Sequence, residues 1–527
     1  MSCPEKAGYN NTNGPKKRGF VRRVVDYAQA PGRQFVVQSA APSIFVNKND
    51  FEDAGSVEEV AISIVGDDVP ESTYIYNEND KISWGSSLFN WLTDIAGSLS
   101  IFLLTCAIIL AWAIWGIVTR APDNWQIAMQ DGSSIQCYIS DTLLMRQQHN
   151  NTNRLLVILA QLRSRCSTVD RLIKLVQKSN SGLTPNELKE LANKTPEDCV
   201  GDAAKLPTEN YFDVCCNWVS EALGSLWSLA IYWCGIIAWI GVGPSLGFSD
   251  KWQLYINTVV YSGVAVQLTF VSMFLQNTRR RHMAYLEKCL KCIQTSDHQL
   301  EIELRGVAKD NTPNPIVSIA PHPVSKGVRF IDYYGDIIGT GIGAFISLCV
   351  FIAWFAIGNT MSWSDDWWLI IGTYTGLVGF IDGFVLRNVY FRQDALLDEQ
   401  FEVLADNDKA IYQFLNLTLP KQNFDEKKSF GQRLSNWMGD ICSHPIAVLF
   451  SVLVVIALLC AAGALKFNTT AQLFCNTPTM IIEGFLLIVL LQAHNLSNTI
   501  RRVQMKDILL RRLHLLQYIQ ALLRSKQ

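Results

Sequence analysis

The chain contains 527 residues, and its 45 Lys and Arg against 47 Asp and Glu leave a formal net charge of −2. This balance creates no large basic field, so nucleic acid is excluded as a partner. Only 17% of the residues are charged, whereas soluble domains average about 25%. The 14 cysteines are scattered, which excludes a disulfide-stapled secreted mini-protein. Composition therefore indicates a polytopic protein embedded in the lipid bilayer.

Eight stretches are predicted to cross the bilayer, which takes about 20 helical residues each. They are 95–118, 125–145, 222–246, 252–275, 337–359, 367–386, 445–465 and 477–496. Five of them are free of charge, and three carry acids. Those acids are Asp131, Asp141, Asp382 and Glu483. Hydropathy alone leaves these three stretches in doubt, and internal repetition completes the set.

A nine-residue motif occurs four times, just before each odd-numbered span. The copies are 90–98, 217–225, 332–340 and 436–444. Their fifth position is always acidic, and we refer to these residues as the pre-span acids: Asp94, Glu221, Asp336 and Asp440. Each even-numbered span ends in an asparagine signature followed by basic residues. The signature asparagines are Asn151, Asn277, Asn388 and Asn498.

The repeating unit is therefore the motif, a span, a short turn, a second span, the signature and a basic amphipathic helix. Four units predict an all-α fold of eight transmembrane helices, preceded by a cytoplasmic tail (1–85) that is largely disordered. The units are 86–205, 206–327, 328–425 and 426–527, and the second ends in a Pro-rich linker. Only three of the 45 Lys and Arg lie in the short turns, so both termini are predicted to be cytoplasmic. The four units then run in the same direction, as parallel repeats.

Acids inside the predicted spans are the strongest functional signal, because a charge in the hydrocarbon costs at least about 2.5–3.5 kcal/mol. Asp141, Asp382 and Glu483 lie in three of the even spans, and Gln267 takes the matching position in the second unit. No Lys or Arg lies within a predicted span, so these carboxylates require a cation, a proton or water. We interpret them as the lining of a cation pathway; protonation, or contact with a polar crevice, is the alternative.

The pre-span acids admit two interpretations. An acid in the first turn of a helix interacts favourably with the helix dipole and can cap the helix. If the four units pack around a common axis, however, the four acids form a ring of the kind that selects cations. The sequence alone does not decide between the two.

Five further side chains have the chemistry of metal ligands in weaker patterns. They are His149, His444, His494, Cys289 and Cys292. His444 follows Asp440 by four residues, a spacing that places both on one helix face and suits Fe(II) or Zn(II). His149 and His494 precede two of the asparagine signatures. Two interpretations are open for them: a metal site at the exit of the pathway, and capping of a helix. The cysteines form a C-x-x-C pair without a second pair of ligands, which is weak evidence for zinc or redox chemistry.

Motifs of known enzyme classes are absent from the sequence. It contains no G-x-x-x-x-G-K-[ST] phosphate loop, no G-x-S-x-G turn, no H-E-x-x-H helix and no dinucleotide fingerprint. We therefore expect neither an enzyme nor an ATP-driven pump, and no permanent cofactor.

Two stretches of the chain resemble the low-affinity iron permease family. Residues 121–150, which begin Ala-Pro-Asp-Asn-Trp, and residues 250–278, which begin Asp-Lys-Trp-Gln-Leu, are similar to the fungal low-affinity iron(II) transporters. The second stretch ends in Gln-Asn-Thr, as do the small bacterial permeases with a single two-span unit. The resemblance covers residues 85–527, and the signature is degraded in the third and fourth units.

The resemblance implies uptake of Fe(II) across the plasma membrane, with Cu(I), Zn(II) and other divalent metals as further substrates. Carboxylate and water ligands bind such ions weakly and with little discrimination, which suits low affinity. Two rival functions stay open. One is a cation channel or proton-coupled carrier for another substrate, and the other is a non-transporting membrane receptor or scaffold. A homo-oligomer is compatible with the sequence, which does not fix the oligomeric state.

Overall fold

The computed structural model is mostly helical. It describes residues 35–46, 57–60, 74–76, 84–120, 122–178, 210–249, 252, 264–420 and 430–524. Within these ranges the helices follow one another in groups of three: a short amphipathic helix, an apolar helix and a long helix of 45–56 residues. The short helices were not predicted as separate elements.

The short amphipathic helices are α1 (Trp84–Ala96), α4 (Tyr211–Leu223), α7 (Lys326–Ile338) and α10 (Phe430–Ser443). The apolar helices are α2 (Leu99–Thr119), α5 (Leu226–Val242), α8 (Gly341–Gly358) and α11 (Pro445–Ala464). The long helices are α3 (Asp123–Lys178), α6 (Val264–Ala308), α9 (Asp365–Phe414) and α12 (Thr469–Arg524). Short strands are β1 (Phe35–Ser39), β2 (Ser43–Val46), β3 (Val57–Val60), β4 (Tyr74–Tyr76) and β5 (Val317–Ile319).

Six of the described helices are long and apolar enough to cross a membrane. They are α2, α5 with the 3-10 turn that extends it, α8, α9, α11 and α12. The first half of α3 is too rich in Ser, Gln and Asp to qualify by composition, and α6 is described only from Val264 onward. Trp252 of the predicted span 252–275 is also described, whereas residues 253–263 lie outside the described ranges.

The nine-residue motif forms the junction between two helices. Its first residues complete the short amphipathic helix, and its last residue is the N-cap of the apolar helix. Ser98, Ser225 and His444 each accept a hydrogen bond there from a backbone amide two or three residues further on. The apolar helices therefore begin four residues later than predicted in three of the four groups.

Each long helix joins a predicted even span, or in α6 its described part, to the basic amphipathic helix after it without a break. A helix of this length extends about 70–85 Å, more than twice the roughly 30 Å thickness of the hydrocarbon. His149 and His494 lie well inside α3 and α12. Helix capping by these histidines is therefore wrong, because no helix ends near them.

The four long helices pack into a closed bundle in the order α3–α9–α12–α6. Each short amphipathic helix lies across two neighbouring long helices: α1 on α3 and α6, α4 on α6 and α12, α10 on α12 and α9, α7 on α9 and α3. Trp91, Trp218 and Trp437 on these short helices are 56–70% exposed. Exposed tryptophans on an amphipathic helix are typical of the membrane–water interface.

Paired tryptophans connect an apolar helix to the segment that follows it in three groups. The pairs are Trp112–Trp125, Trp239–Trp252 and Trp354–Trp367. Their indole centroids are 4.1–4.2 Å apart, and each indole N–H donates to the backbone carbonyl of its partner. In the first and third groups, where the second tryptophan lies on α3 or α9, this double hydrogen bond fixes the register of the two helices where the chain turns back.

Part of the predicted tail is folded onto the C-terminal halves of the long helices, which we call the distal bundle. Strand β1 pairs with β4 and with β5, the latter lying inside the predicted Pro-rich linker. The backbone amide of Ala41 donates to Ser164 of α3, and the Asn314 side chain donates to the carbonyl of Pro42. The prediction of a largely disordered tail is therefore wrong for residues 35–46, 57–60 and 74–76, and the other residues of 1–83 lie outside the described ranges.

A buried ionic network holds the distal bundle together. Asp408 of α9 lies 2.8 Å from Arg511 Nε and 2.8 Å from Arg512 Nη2, both on α12. Glu301 of α6 forms ion pairs with Arg305 of its own helix and with Arg165 of α3. Burial raises the pKa of Asp297 to about 6, against the attraction of Arg512. All four long helices thus contribute to one set of buried charges.

We expect Asp408→Asn to destabilise the distal bundle by about 3–5 kcal/mol, because two buried arginines lose their shared carboxylate. Two measurements report the loss of stability: thermal unfolding of the purified protein and the protease sensitivity of the distal bundle. Asp170→Asn is the matched control. Asp170 forms a part-exposed pair with Lys174, so its loss should change stability by less than about 1 kcal/mol. Equal stability of the two variants would contradict a structural role for the network.

Candidate metal site

Three potential metal ligands meet inside the apolar half of the bundle. Cys137 and Asp141 of α3 and Glu483 of α12 each offer one ligand atom, and these atoms lie within 4.8 Å of one another. All three residues are at most 2% exposed. Since α3 and α12 stand diagonally opposite in the bundle, the group spans the bundle axis. It is the one group of at least three such ligands among the described residues.

Local sequence explains why these side chains converge. Cys137 and Asp141 are four residues apart on α3 and therefore share one face of the helix. Oδ1 of Asp141 is buried without a hydrogen-bond donor, and a buried carboxylate without partners is unfavourable. A thiol with two carboxylates is a donor set that suits Fe(II) and Zn(II). The group is therefore a candidate site for a transition-metal ion.

A buried arginine lies beside the site, and it corrects the prediction that the carboxylates have no basic partner. Arg387 of α9 is 1% exposed and acts electrostatically on both Asp141 and Glu483. Its Nε donates to the carbonyl of Leu486 at 2.9 Å, and Nη1 donates to the carbonyl of Gly383. The predicted span ended at residue 386, so the sequence placed this arginine just outside the membrane segment.

Asp382 lies next to the group but is not one of its three ligands. Its Oδ1 accepts a hydrogen bond of 2.7 Å from the Tyr334 hydroxyl, while Oδ2 has no donor. Asp382 and Asp141 still interact electrostatically. The three predicted intramembrane acids are therefore near each other, with Asp382 held by α7. The side chain of Gln267 lies outside the described part of the structure.

One face of α9 is made of glycines and faces these polar groups. The glycines are Gly372, Gly376, Gly379 and Gly383, which follow helical spacing. A Cβ on Gly379 would lie 2.9 Å from Oε1 of Glu483, and one on Gly376 would lie 2.7 Å from Oδ1 of Asn476. Only glycine leaves space here for polar side chains of the opposite helices. We call this surface the glycine face; it accommodates a file of polar groups along the bundle.

The pre-span acids do not form a ring around the axis. Each lies near the C-terminal end of a short amphipathic helix, instead of in the first turn of a span. Asp94, Glu221 and Asp440 are exposed and Asp336 is half-buried. Because the short helices lie on the outside of the bundle, these acids are peripheral. The capping interpretation is wrong, and a ring of acids around an ion path on the bundle axis gains no support.

Three pre-span acids lie next to basic groups of a neighbouring long helix. Arg280 of α6 attracts the Asp94 carboxylate and donates to its backbone carbonyl. Oδ1 of Asp336 lies 3.3 Å from Nε2 of His149 on α3. Glu221 interacts electrostatically with Arg502 of α12. These contacts join one group of helices to the next.

The signature asparagines divide into two roles. Asn277 donates a hydrogen bond of 2.8 Å to the carbonyl of Gly97, and Asn388 donates to the carbonyl of Ser443. Both bonds hold the end of a short helix from a different group. Asn151 and Asn498 instead line a cavity on the bundle axis, beyond the metal site. His494, His282, Arg279 and Arg501 also line this cavity.

The remaining candidate ligands do not assemble into metal sites. His444 caps α11 while Asp440 belongs to α10, so they do not share a helix face as predicted. Cys292 is exposed and Cys289 half-buried on α6, and no third ligand joins them among the described residues. The weak evidence for zinc or redox chemistry at the C-x-x-C pair gains no support.

Comparison with known proteins follows the grouping of the helices. A family model described as low affinity iron permease matches residues 86–200, 212–302, 328–418 and 431–518. The chain belongs to the low-affinity iron permease family. Each matched segment corresponds to one short, one apolar and one long helix. This permease is therefore a multi-pass membrane protein, and the family description is that of a permease and not of an enzyme.

Two curated fungal relatives of the permease cover nearly its whole length. The low-affinity iron/zinc ion transport protein fet4 of Schizosaccharomyces pombe is 48% identical over 520 residues, 96% of this chain and 86% of the relative. The low-affinity Fe(2+) transport protein of Saccharomyces cerevisiae is 37% identical over 545 aligned positions, 94% of this chain and 98% of the relative. No solved structure matches the permease.

Several residues of the candidate site were not predicted from the sequence, although each left a signal. Cys137 precedes Asp141 by one helical turn, and Arg387 follows a predicted span directly. The glycine face repeats at intervals of four, three and four residues, the spacing of one helix face. What no local pattern encodes is that α3, α9 and α12 bring these residues together.

Proposed function

We propose that this permease carries Fe(II) and Zn(II), with Cu(I) and other divalent metals as further substrates, across the plasma membrane into the cytoplasm. It has eight spans in four parallel two-span units, with both termini in the cytoplasm. The observation that carries the proposal is the buried group of Cys137, Asp141 and Glu483 on the bundle axis. Low-affinity iron or zinc transport is also what the names of both relatives describe.

The metal moves along the glycine face, from the N-terminal ends of the long helices toward the distal bundle. On α12, Asn476, Thr479 and Glu483 follow one another along the helix face opposite those glycines. Polar oxygens along this file replace part of the hydration shell of the ion, which reduces the cost of crossing the apolar half of the bundle.

The membrane potential supplies the driving force without ATP. A divalent ion that crosses the whole membrane gains about 4.6 kcal/mol per 100 mV. Asp141 and Glu483 neutralise the ion at the site, and Arg387 offsets part of their charge, so the ion is held weakly. Weak binding allows release, which a uniporter requires for turnover.

The test is flux of Fe(II) and Zn(II) into vesicles that contain the purified full-length protein, under an imposed inside-negative potential. We expect flux that rises with the potential and needs no ATP. Gly379→Leu should reduce it at least tenfold, because the new side chain fills the space beside Glu483. Gly241→Leu is the control, since a Cβ there meets nothing within 4 Å. No flux in wild-type vesicles, or equal flux in both variants, would reject the proposal.

A further inference from the structure

A second set of buried polar side chains lies closer to the N-terminal ends of the long helices than the Cys137 group. Asp131 of α3 is 1% exposed and Asn476 of α12 is 0% exposed. Neither carboxylate oxygen of Asp131 and neither amide atom of Asn476 has a hydrogen-bond partner. Leaving such groups buried and unsatisfied is costly, so an unpaired carboxylate beside an unpaired amide calls for a ligand.

Both side chains converge on the glycine face. A Cβ on Gly372 would overlap Oδ1 of Asp131 and would lie 2.9 Å from Nδ2 of Asn476. Oδ1 of Asn476 points to Gly376 on the same face. The two ends of an amide are exchanged by a half turn of the side chain, so Asn476 can present its oxygen toward Asp131. Three helices thus surround one polar space that only glycine leaves open.

We propose that Asp131 and Asn476 form an outer cation site, which binds a divalent cation through oxygen ligands alone. The outer site rests on the proposed function, because it is the position that a transported ion occupies before it reaches the Cys137 group. Ten residues of α3 separate Asp131 from Asp141, about 15 Å along the helix. The two sites are therefore separate along the path and can be probed independently.

The ligands of the two sites differ in chemical class. Carboxylate and amide oxygens are hard ligands, which accept Mg(II), Mn(II) and Fe(II) alike. The inner site adds the thiol of Cys137, which favours Fe(II) and Zn(II) over Mg(II). The outer site thus collects divalent cations of several kinds, and discrimination among them takes place at the inner site.

The experiment uses purified full-length protein in which the inner site is disabled by Cys137→Ala and Glu483→Gln. Mn(II), followed by electron paramagnetic resonance, is the probe. We expect one bound Mn(II) per chain in this background and at least tenfold weaker binding when Asp131→Asn is added. Adding Asp366→Asn instead removes an exposed acid near the start of α9 and should leave Mn(II) binding unchanged. The outer site is overturned if the background binds no Mn(II), or if Asp131→Asn leaves its binding intact.

A second measurement tests whether the Asp131→Asn variant folds. It also distinguishes a failure of the outer site from a failure of the proposed function. Co(II) bound by a thiolate gives a charge-transfer absorption band, which reports on Cys137. In the single variant Asp131→Asn this band should persist at saturating Co(II), as expected for a folded protein with an intact inner site. Loss of the band in Asp131→Asn would mean that the two positions form one site, and would overturn a separate outer site. A wild-type protein that binds Mn(II) at Asp131 but shows neither the band nor Fe(II) flux would reject the proposed function alone.

Discussion

Replacing Asp141 by Asn and Glu483 by Gln together should reduce Fe(II) flux into vesicles by at least about 100-fold. Even the groups that merely support metal ligands change affinity by about 10–100-fold when they are mutated, and this variant removes two charged ligands. Both substitutions preserve side-chain size, so the packing of α3 against α9 and α12 should persist. Initial rates of flux at several Fe(II) concentrations and a fixed potential measure the loss.

The matched control removes the same two charges from the surface of the distal bundle. In the variant Asp170→Asn with Glu399→Gln, Asp170 is part-exposed and pairs with Lys174, and Glu399 is exposed and pairs with His322. Its flux should equal that of the wild type. If the double variant at Asp141 and Glu483 transports Fe(II) normally, with the same amount of protein in the vesicles, the carboxylates do not line the pathway.

Replacing Arg387 by Gln should lower the KM for Fe(II) by about tenfold and lower the maximal flux as well. The guanidinium is a resident cation beside Asp141 and Glu483, so it competes with the metal for the same negative charge. At an effective dielectric constant near 20, two unit charges several ångströms apart interact by a few kcal/mol, enough for a tenfold change. Without the arginine the ion binds more tightly and leaves more slowly.

Arg392→Gln provides the comparison for this prediction. Arg392 lies further along α9 and pairs with Asp332 of α7, away from the three ligands. Its substitution removes an equal charge and should leave the KM for Fe(II) unchanged. An unchanged or higher KM in Arg387→Gln would show that the arginine does not compete with the metal and serves only to hold α9 against α12.

The sequence allowed the acids of the site to be predicted but not their common location. Asp141 and Glu483 stand out in apolar stretches, whatever the packing of the helices. Their meeting depends on the order α3–α9–α12–α6, which no local pattern specifies. Arg387 was missed because the predicted span ended at residue 386, directly before the arginine, although the helix continues for many residues beyond it.

Repetition was informative for helix boundaries and misleading for function. The nine-residue motif does recur at four helix junctions, where its final residues end one helix and cap the next. The constant acid at its fifth position suggested a ring of charges. This acid lies on the outside of the bundle because the short helices pack against the outer surface of the long helices. The motif does not specify that tertiary contact.

The circular order of the long helices has a consequence for synthesis of the protein. The second and third groups, α4–α6 and α7–α9, are consecutive in the chain, yet α6 and α9 stand diagonally opposite, and α12 must insert between them. A nascent chain that lacks α12 contains Cys137, Asp141 and Arg387 but not Glu483. The proposed ion path is therefore complete only when α12 has joined the other three long helices.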